Sequence, residues 1–364
     1  MAEIIVNTKK INKNIRKLND YFEKNDIEWT LISKVVSGHK KILRKILNNP
    51  EIKRVHSVGD SRLSSLKIIK EIKSSIVTMY IKPPAIQFAK SVVKYADISL
   101  NSSLDTIIAL DKEAKKQNKK HRIIIMIEMG ELREGVIRED VLEFYQKAFD
   151  LDNIVIEGIG TNLGCMYGVE PTYDKLIQLC LYKQLIEAKF DRKLILISGG
   201  SSITLPLIGK HKIPKSVNHF RVGEATFLGK SPFNNKKFRD LSTKAFEYDA
   251  NIIEMAEKEA SPDGKISESN VGHIADAREN LKNKHYRAIM DFGILDVDVE
   301  QIIPKDEEVK FAGTTSDMTV YDVGENLSKS KRVKYAVGKT IRFEPTYMAV
   351  ARLLNSKFIK TIVK

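Results

Sequence analysis

The chain has 364 residues, 42% hydrophobic and 30% charged. That is the balance of a folded globular protein, long enough for two domains, and it excludes a disordered or fibrous chain. Two cysteines, Cys165 and Cys180, make no disulfide framework and point to a reduced, cytoplasmic setting.

A net charge of +14 invites a nucleic-acid reading. The basic residues are spread along helical stretches without interleaved aromatics, so no nucleic-acid partner is expected. Residues 1–6 lack the basic start and long apolar core of a secretion signal. No apolar run nears the ~20 residues needed to cross a bilayer, so no membrane partner is expected either.

In chain order, short apolar and often β-branched runs alternate with amphipathic stretches. The runs are 29–33, 54–58, 76–81, 95–100, 122–129, 154–161, 193–198 and 218–222, and helical spacing fills 61–73, 103–117, 138–149 and 173–188. Eight strand–helix units predict an α/β chain whose residues 7–235 form a (β/α)8 barrel of the TIM type. The fifth run is continuously apolar, as a strand covered on both faces is. A doubly wound sheet satisfies the same periodicity, because periodicity does not report closure. After residue 235 the strand-like segments 287–292, 308–313, 318–323 and 338–343 follow one another without long helices. They predict a mostly β C-terminal domain over 236–364, which an N-terminal strand in residues 1–6 joins.

In such a barrel the chemistry sits where the strands end. The first run ends on Ser33-Lys34 before a turn at Ser37-Gly38. A lysine there is expected to be partly desolvated, which disfavours its charged form and leaves the amine free to attack a carbonyl. The seventh run ends Ser198-Gly199-Gly200-Ser201-Ser202 and the eighth Arg221-Val222-Gly223-Glu224. Glycines that aim backbone N–H groups, with serine hydroxyls beside them, describe a phosphate cup; two ordinary Gly-containing turns read the same way. The fifth run leads to Glu131 and Arg133, the sixth to Asn162 and Cys165. Each has a structural use on its own: Arg133 in an ion pair, Asn162 in a turn, Cys165 in a core. Together they converge on one mouth.

The order of these blocks carries a resemblance. Ile32-Ser33-Lys34, Leu132-Arg133-Glu134-Gly135, Thr161-Asn162-Leu163 with Cys165, Ser198 to Ser202 and Arg221 to Ala225 resemble the alanine racemase superfamily. Within it they look like the ornithine racemase branch of predicted amino-acid racemases. Asp97 to Ser102, Ser316-Asp317 and Val320 to Val323 resemble that branch as well. The resemblance implies a pyridoxal 5′-phosphate enzyme, a barrel followed by a β domain, that racemises a free amino acid.

Carried across by position, Lys34 holds the cofactor as a Schiff base and acts as one catalytic base. Ser201, Ser202, Gly223 and Glu224 bind its phosphate, the last two through backbone N–H. Arg221 faces the pyridine nitrogen. Arginine keeps its proton, so that nitrogen stays unprotonated and the ring is a weaker electron sink. Reversible proton movement at Cα is then favoured over decarboxylation or transamination. Arg133 lies near the cofactor phenolate and the substrate carboxylate, and Asn162 against the ring. No metal is implied.

Racemisation needs a second base on the opposite face of Cα. Alanine racemases use a tyrosine from the partner's β domain in a Val-Gly-Tyr-Ala-Asp setting. Here the stretch is Val271-Gly272-His273-Ile274-Ala275-Asp276. His273, Asp276 and Cys165 are the candidates, histidine as a type being suited to proton transfer near neutrality. Glu131 with Asp317 is expected to hold a terminal ammonium, favouring a basic, ornithine-like substrate. A base supplied by the β domain must reach a neighbour's barrel, which implies a head-to-tail homodimer. The alternative is a non-catalytic pyridoxal-phosphate-binding protein, a single-barrel class without a second domain.

Overall fold

The computed structural model describes residues 1–259, 262–265, 272–274, 285–328 and 330–364. They form two compact units, Lys9–Thr243 on one hand and Met1–Thr8 with Lys244–Lys364 on the other. The chain opens with β1 (Glu3–Val6), which belongs to the second unit.

In the first unit, eight strands close into a parallel barrel: β2 (Glu28–Ile32), β3 (Ser57–Asp60), β4 (Thr78–Tyr80), β5 (Ile98–Asn101), β6 (His121–Met126), β7 (Ile154–Gly160), β8 (Leu196–Ser201) and β9 (His219–Val222). The ring closes where β2 pairs with β9, Thr30 opposite Arg221. The helices around it are α1 (Thr8–Glu23), α2 (Lys40–Leu47), α3 (Leu63–Ile72), α4 (Ala89–Tyr95), α5 (Leu104–Lys116), α6 (Val141–Phe149), α7 (Tyr173–Phe190), α8 (Leu205–Ile208) and α9 (Glu224–Leu228). All eight runs read from the sequence are strands of this ring, and the barrel excludes the doubly wound sheet. The second, β3, starts later than residue 54 because Asn49 accepts a hydrogen bond from the Glu51 N–H at 3.0 Å and caps a turn of 3₁₀ helix at Pro50–Arg54. No helix among the described residues is long and apolar enough to cross a membrane.

The barrel interior is divided. Met79, Ile98, Leu100, Ile124, Met126 and Leu196 form one buried apolar cluster. It joins β4 to β8, which are not neighbours in the ring, so it crosses the interior. The other side, from β2, β3, β8 and β9, is polar: Thr30, Ser57, Ser198, His219 and Arg221 are all buried.

The first unit extends beyond residue 235 through a short hairpin, β10 (Lys230–Ser231) with β11 (Lys236–Lys237). Phe238 packs edge-on against Tyr21, and buried Asn14 on α1 accepts from the Ser242 N–H at 2.7 Å while donating to the Thr226 carbonyl at 3.0 Å. These contacts tie residues 236–243 to the barrel.

The second unit is a sheet of β12 (Phe246–Lys258), β13 (His273–Ile274), β14 (His285–Met290), β15 (Ile302–Pro304), β16 (Lys310–Thr314), β17 (Thr319–Asp322), β18 (Thr340–Pro345), β19 (Lys360–Val363) and β1, with one α-helix among the described residues, α10 (Tyr347–Leu353). Here β1 pairs antiparallel with β12 and parallel with β19. Burial along the first half of β12 alternates, with Phe246, Tyr248, Ala250 and Ile252 inward. The ladder to β18 runs to Asn251 and that to β14 begins at Ile252, with a register shift between Ile252 and Glu254. Tyr248, Phe292, Tyr321 and Phe343 make the aromatic core, with ring centroids 5.3–5.9 Å apart.

Candidate active site

The residues singled out from the barrel sequence follow five consecutive strands of the ring. Glu131 and Arg133 follow β6, Asn162 and Cys165 follow β7, Ser201 and Ser202 close β8, Gly223 and Glu224 follow Arg221 on β9, and Lys34 follows β2. In-register pairing sets β9 between β8 and β2, with Ser201 and Thr30 both opposite Arg221. A Cβ on Gly223 would lie 3.2 Å from the Ile32 carbonyl oxygen, so the start of α9 sits directly against the strand end leading to Lys34.

Lys34 opens a 3₁₀ turn, Lys34–Val36, immediately after β2. That turn lifts its side chain onto the rim, and Lys34 is exposed, not partly desolvated as its sequence position suggested. Two acidic groups stand close. Burial pushes the Glu224 carboxyl up, against the pull of Lys34 and Lys230. A shift in that direction lessens a like-charge conflict with an anion at the same corner. Asp60, not anticipated from the sequence, ends β3 fully buried; it accepts from the Ser33 hydroxyl at 3.0 Å and from the Arg62 N–H at 2.9 Å. Burial raises its carboxyl too, these hydrogen bonds opposing. Its signal was present: Gly59-Asp60-Ser61 is a polar turn at a predicted strand end, like the others.

Arg221 points into the barrel. Its guanidinium donates to the Ser198 carbonyl at 2.9 Å, to the Ser198 hydroxyl and to the Thr161 carbonyl at 2.7 Å, reaching across β8 to the end of β7. Burial brings its pKa down to about 10, with Glu134 supporting the charge and Arg133 opposing it. It therefore stays a cation at neutrality.

The loop after β6 is shaped by backbone demands. Gly135 has φ +153°, and a Cβ there would meet the Glu128 nitrogen at 2.2 Å, so only glycine lets the chain turn back. Glu128 accepts from the Gly130 N–H at 2.6 Å and the Leu132 N–H at 3.0 Å. On this loop Arg133 pairs with Glu134 at 3.0 Å and donates to the Cys165 sulfur at 3.2 Å.

Glu131 corrects an expectation. It is buried, and its two oxygens accept the backbone N–H groups of Cys165, Tyr167 and Val169 at 2.9–3.0 Å. Burial pushes its carboxyl up, but these N–H groups, with that of Gly164, prevail and hold it below the usual carboxylate range. Its lone pairs serve the 164–169 loop and not a substrate ammonium.

The second-unit candidates are placed separately. His273 is exposed on β13, opposite Thr314. Asp317 is exposed in the turn between β16 and β17 and accepts from the Ser316 hydroxyl at 3.0 Å. Asp276 lies outside the described residues. No cluster of metal-ligating side chains occurs among the described residues.

Comparison with known proteins bears on this geometry. The model for the alanine racemase N-terminal domain matches residues 6–231. An ornithine racemase of Acetoanaerobium sticklandii is 32% identical, the match covering 98% of both chains. The chain belongs to the alanine racemase family. A lysine racemase of Thermotoga maritima is 30% identical over 99% of this chain and 97% of its own. Among solved structures, an alanine racemase of Clostridium difficile superposes with a TM-score of 0.73 at 15% identity, covering all of this chain and 95% of that one. A D-threonine aldolase of Filomicrobium marinum gives 0.70 at 11%, over all of this chain and 91% of its own; at such identities the likeness is one of fold.

Enzymes of the alanine racemase family use pyridoxal 5′-phosphate, and the residues present fit that group. Ser202 is buried, and its hydroxyl oxygen already accepts from the Ala225 N–H at 3.2 Å, so its hydrogen is left to donate. The Ser201 N–H is tied to Thr204 Oγ1 at 3.1 Å, which orients its hydroxyl-bearing turn. A primary amine on the rim, hydroxyls and helix-start N–H groups beside it, and a buried guanidinium below suit an aldehyde with an anionic tail.

Proposed function

We propose that this protein is a pyridoxal-phosphate-dependent racemase of a free basic amino acid, with ornithine or lysine as substrate. The reading is supported most by one observation: Lys34, the Ser201–Ser202 turn, the start of α9 and Arg221 lie on three adjacent strands of one closed ring. Relatives that match the whole chain are an ornithine racemase and a lysine racemase. Nothing favours the non-catalytic alternative, and the second unit of Lys244–Lys364 is more than such a carrier requires.

Bound at this corner, the cofactor supplies the electron sink that acidifies the substrate's Cα–H. Lys34 Nζ binds it covalently and moves the proton on one face of Cα. Ser201, Ser202 and the backbone of Gly223 and Glu224 hold the phosphate. Arg221, a cation that does not release its proton, keeps the pyridine nitrogen bare. Arg133 takes the substrate carboxylate, Asn162 lies against the ring, and Asp317 from a second copy meets the terminal ammonium. Cys165, at hydrogen-bond distance from Arg133, is the proposed base on the opposite face. The working unit is a cytoplasmic homodimer.

Chiral chromatography of L-ornithine, L-lysine and L-alanine incubated with enzyme and cofactor tests the reading. Appearance of D-ornithine or D-lysine is expected, with Lys34→Ala at least about 10³-fold slower. Faster racemisation of alanine, or turnover that survives Lys34→Ala, overturns it. If Cys165→Ser racemises at the parent rate, the second base lies elsewhere, and His273 is the next position to vary.

A further inference from the structure

The polar side of the barrel interior contains an unbroken chain of hydrogen bonds that the site as described does not use. Arg221 Nη1 donates to Ser198 Oγ. Ser198 Oγ stands 2.7 Å from His219 Nδ1, and His219 Nε2 stands 2.9 Å from Thr30 Oγ1. Thr30 Oγ1 is 2.7 Å from Ser57 Oγ, which is 3.2 Å from His56 Nδ1. Every member but His56 is buried. The rings of His56 and His219 meet edge to face, with centroids 5.1 Å apart.

Elementary donor counting orients the chain. A guanidinium only donates, so the Ser198 oxygen accepts from Arg221 and its hydrogen goes to His219 Nδ1. A bare Nδ1 requires the His219 proton on Nε2, which donates to Thr30. Thr30 turns its hydrogen to the Ser57 oxygen at 2.7 Å, a better acceptor than the Met79 sulfur at 3.8 Å. Ser57 then donates to His56, whose Nε2 lies 3.9 Å from Glu28 Oε2 at the far end of β2. A neutral His219 is what its surroundings favour: burial, with His56 and Arg221 nearby, pushes its pKa well below the ordinary value.

We propose that His219 is a positioning residue for Arg221: locked as the neutral Nε2–H tautomer, it holds the Ser198 hydroxyl as an acceptor and so fixes the guanidinium beneath the mouth. The chain starts at a cation that cannot accept, so reversing the Ser198–His219 link would take the buried Ser198 hydroxyl hydrogen away from the acceptor it now has. The link to catalysis rests on the racemase reading; the tautomer does not.

Long-range proton–nitrogen correlation on the full-length chain labelled with ¹⁵N-histidine reads the tautomer directly, with and without pyridoxal phosphate. The His219 resonance, identified by its loss in His219→Gln, is expected to show a bare Nδ1 and a protonated Nε2 in both states. A protonated Nδ1, or an imidazolium at neutral pH, overturns the proposal whether or not the protein racemises anything. With loaded enzyme, His219→Leu is expected to shift the visible band of the bound cofactor and to lower kcat about tenfold with KM little changed. His219→Gln, which can accept from Ser198 and donate to Thr30, is expected to recover the band and most of kcat. A normal band and kcat in His219→Leu overturn the positioning role. Should no amino acid be racemised at all, the tautomer and the band still decide the proposal.

Discussion

The two sides of the barrel interior solve the same packing problem in opposite ways. From β4, β5, β6 and β8 come Met79, Ile98, Leu100, Ile124, Met126 and Leu196, which need only shape and volume. From β2, β3, β8 and β9 come Thr30, Ser57, Ser198, His219 and Arg221, each of which must find a partner of opposite hydrogen-bonding sense. The apolar side tolerates exchange of one hydrocarbon for another of similar volume. The polar side tolerates little, because removing one member strands its neighbours in a site that water does not reach. The stiff, demanding side is the one beneath the proposed cofactor corner. An apolar filling there would pack as well but could not hold a guanidinium.

The sharpest way to break this contrast is Arg221→Leu. It leaves the Ser198 and Thr161 carbonyls without their donor and the Ser198 hydroxyl without its cation. Unfolding free energy is expected to fall by about 3 kcal/mol, and racemisation by roughly 10²–10³-fold, measured by urea unfolding and chiral assay on one preparation. Leu100→Ala on the apolar side should separate the two quantities. A loss of about 2–4 kcal/mol of stability is expected from the cavity, with kcat within about threefold of the parent; a large kcat loss would mean that the apolar side also shapes the site.

Acid acts on the buried histidines of both sides. Burial keeps His219 neutral far below its ordinary pKa, and brings His121, which bonds Ser99 outside this column, down to about 4. Between pH 6.5 and 4 the unfolded chain therefore binds more protons than the fold, so stability is full above that window and lost as pH falls through it. His121 is expected to contribute roughly 2 kcal/mol of loss by pH 4.5, and His219 a loss of the same sign, read from urea midpoints at pH 7 and 4.5. His121→Gln should remove its own share and leave that of His219. The smallest effect is local: Glu131→Gln offers an amide N–H₂ to backbone N–H groups that need acceptors, and faster amide exchange over residues 164–169 is expected with global stability changed by about 1 kcal/mol. Unchanged exchange there would show that the loop holds without Glu131.

Much of the barrel was legible in the sequence because most residues of its strands are buried whichever face they point to, so a strand declares itself as a short apolar run. The sites at their ends were legible for the same reason, since a polar cluster just after such a run has few places to go but the mouth. The long strand β12 was not read. Its second half contains Glu254, Met255, Ala256, Glu257 and Lys258, good helix formers, and the ladder to β14 overrides that propensity. Glu131 was legible as a carboxylate in the mouth but not as the anchor of a loop 34–38 residues further on. His219 passed as an ordinary strand residue, and Ser198 was read with the phosphate cup, not as a partner of Arg221.

Taken alone, the sequence determined which residue types stand at the strand ends, the alternation that calls for a barrel, and the order of blocks that marks the family; these are local patterns, dictated by burial period and by glycines that no other residue replaces. Only the tertiary structure decided which lone pairs and protons meet. It turned Glu131 inward to its loop, raised Lys34 onto the rim and lined up Arg221, Ser198, His219 and Thr30 through the barrel. Hydrogen bonds act over about 3 Å, and closing a ring of parallel strands is what brings residues up to 189 positions apart within that distance.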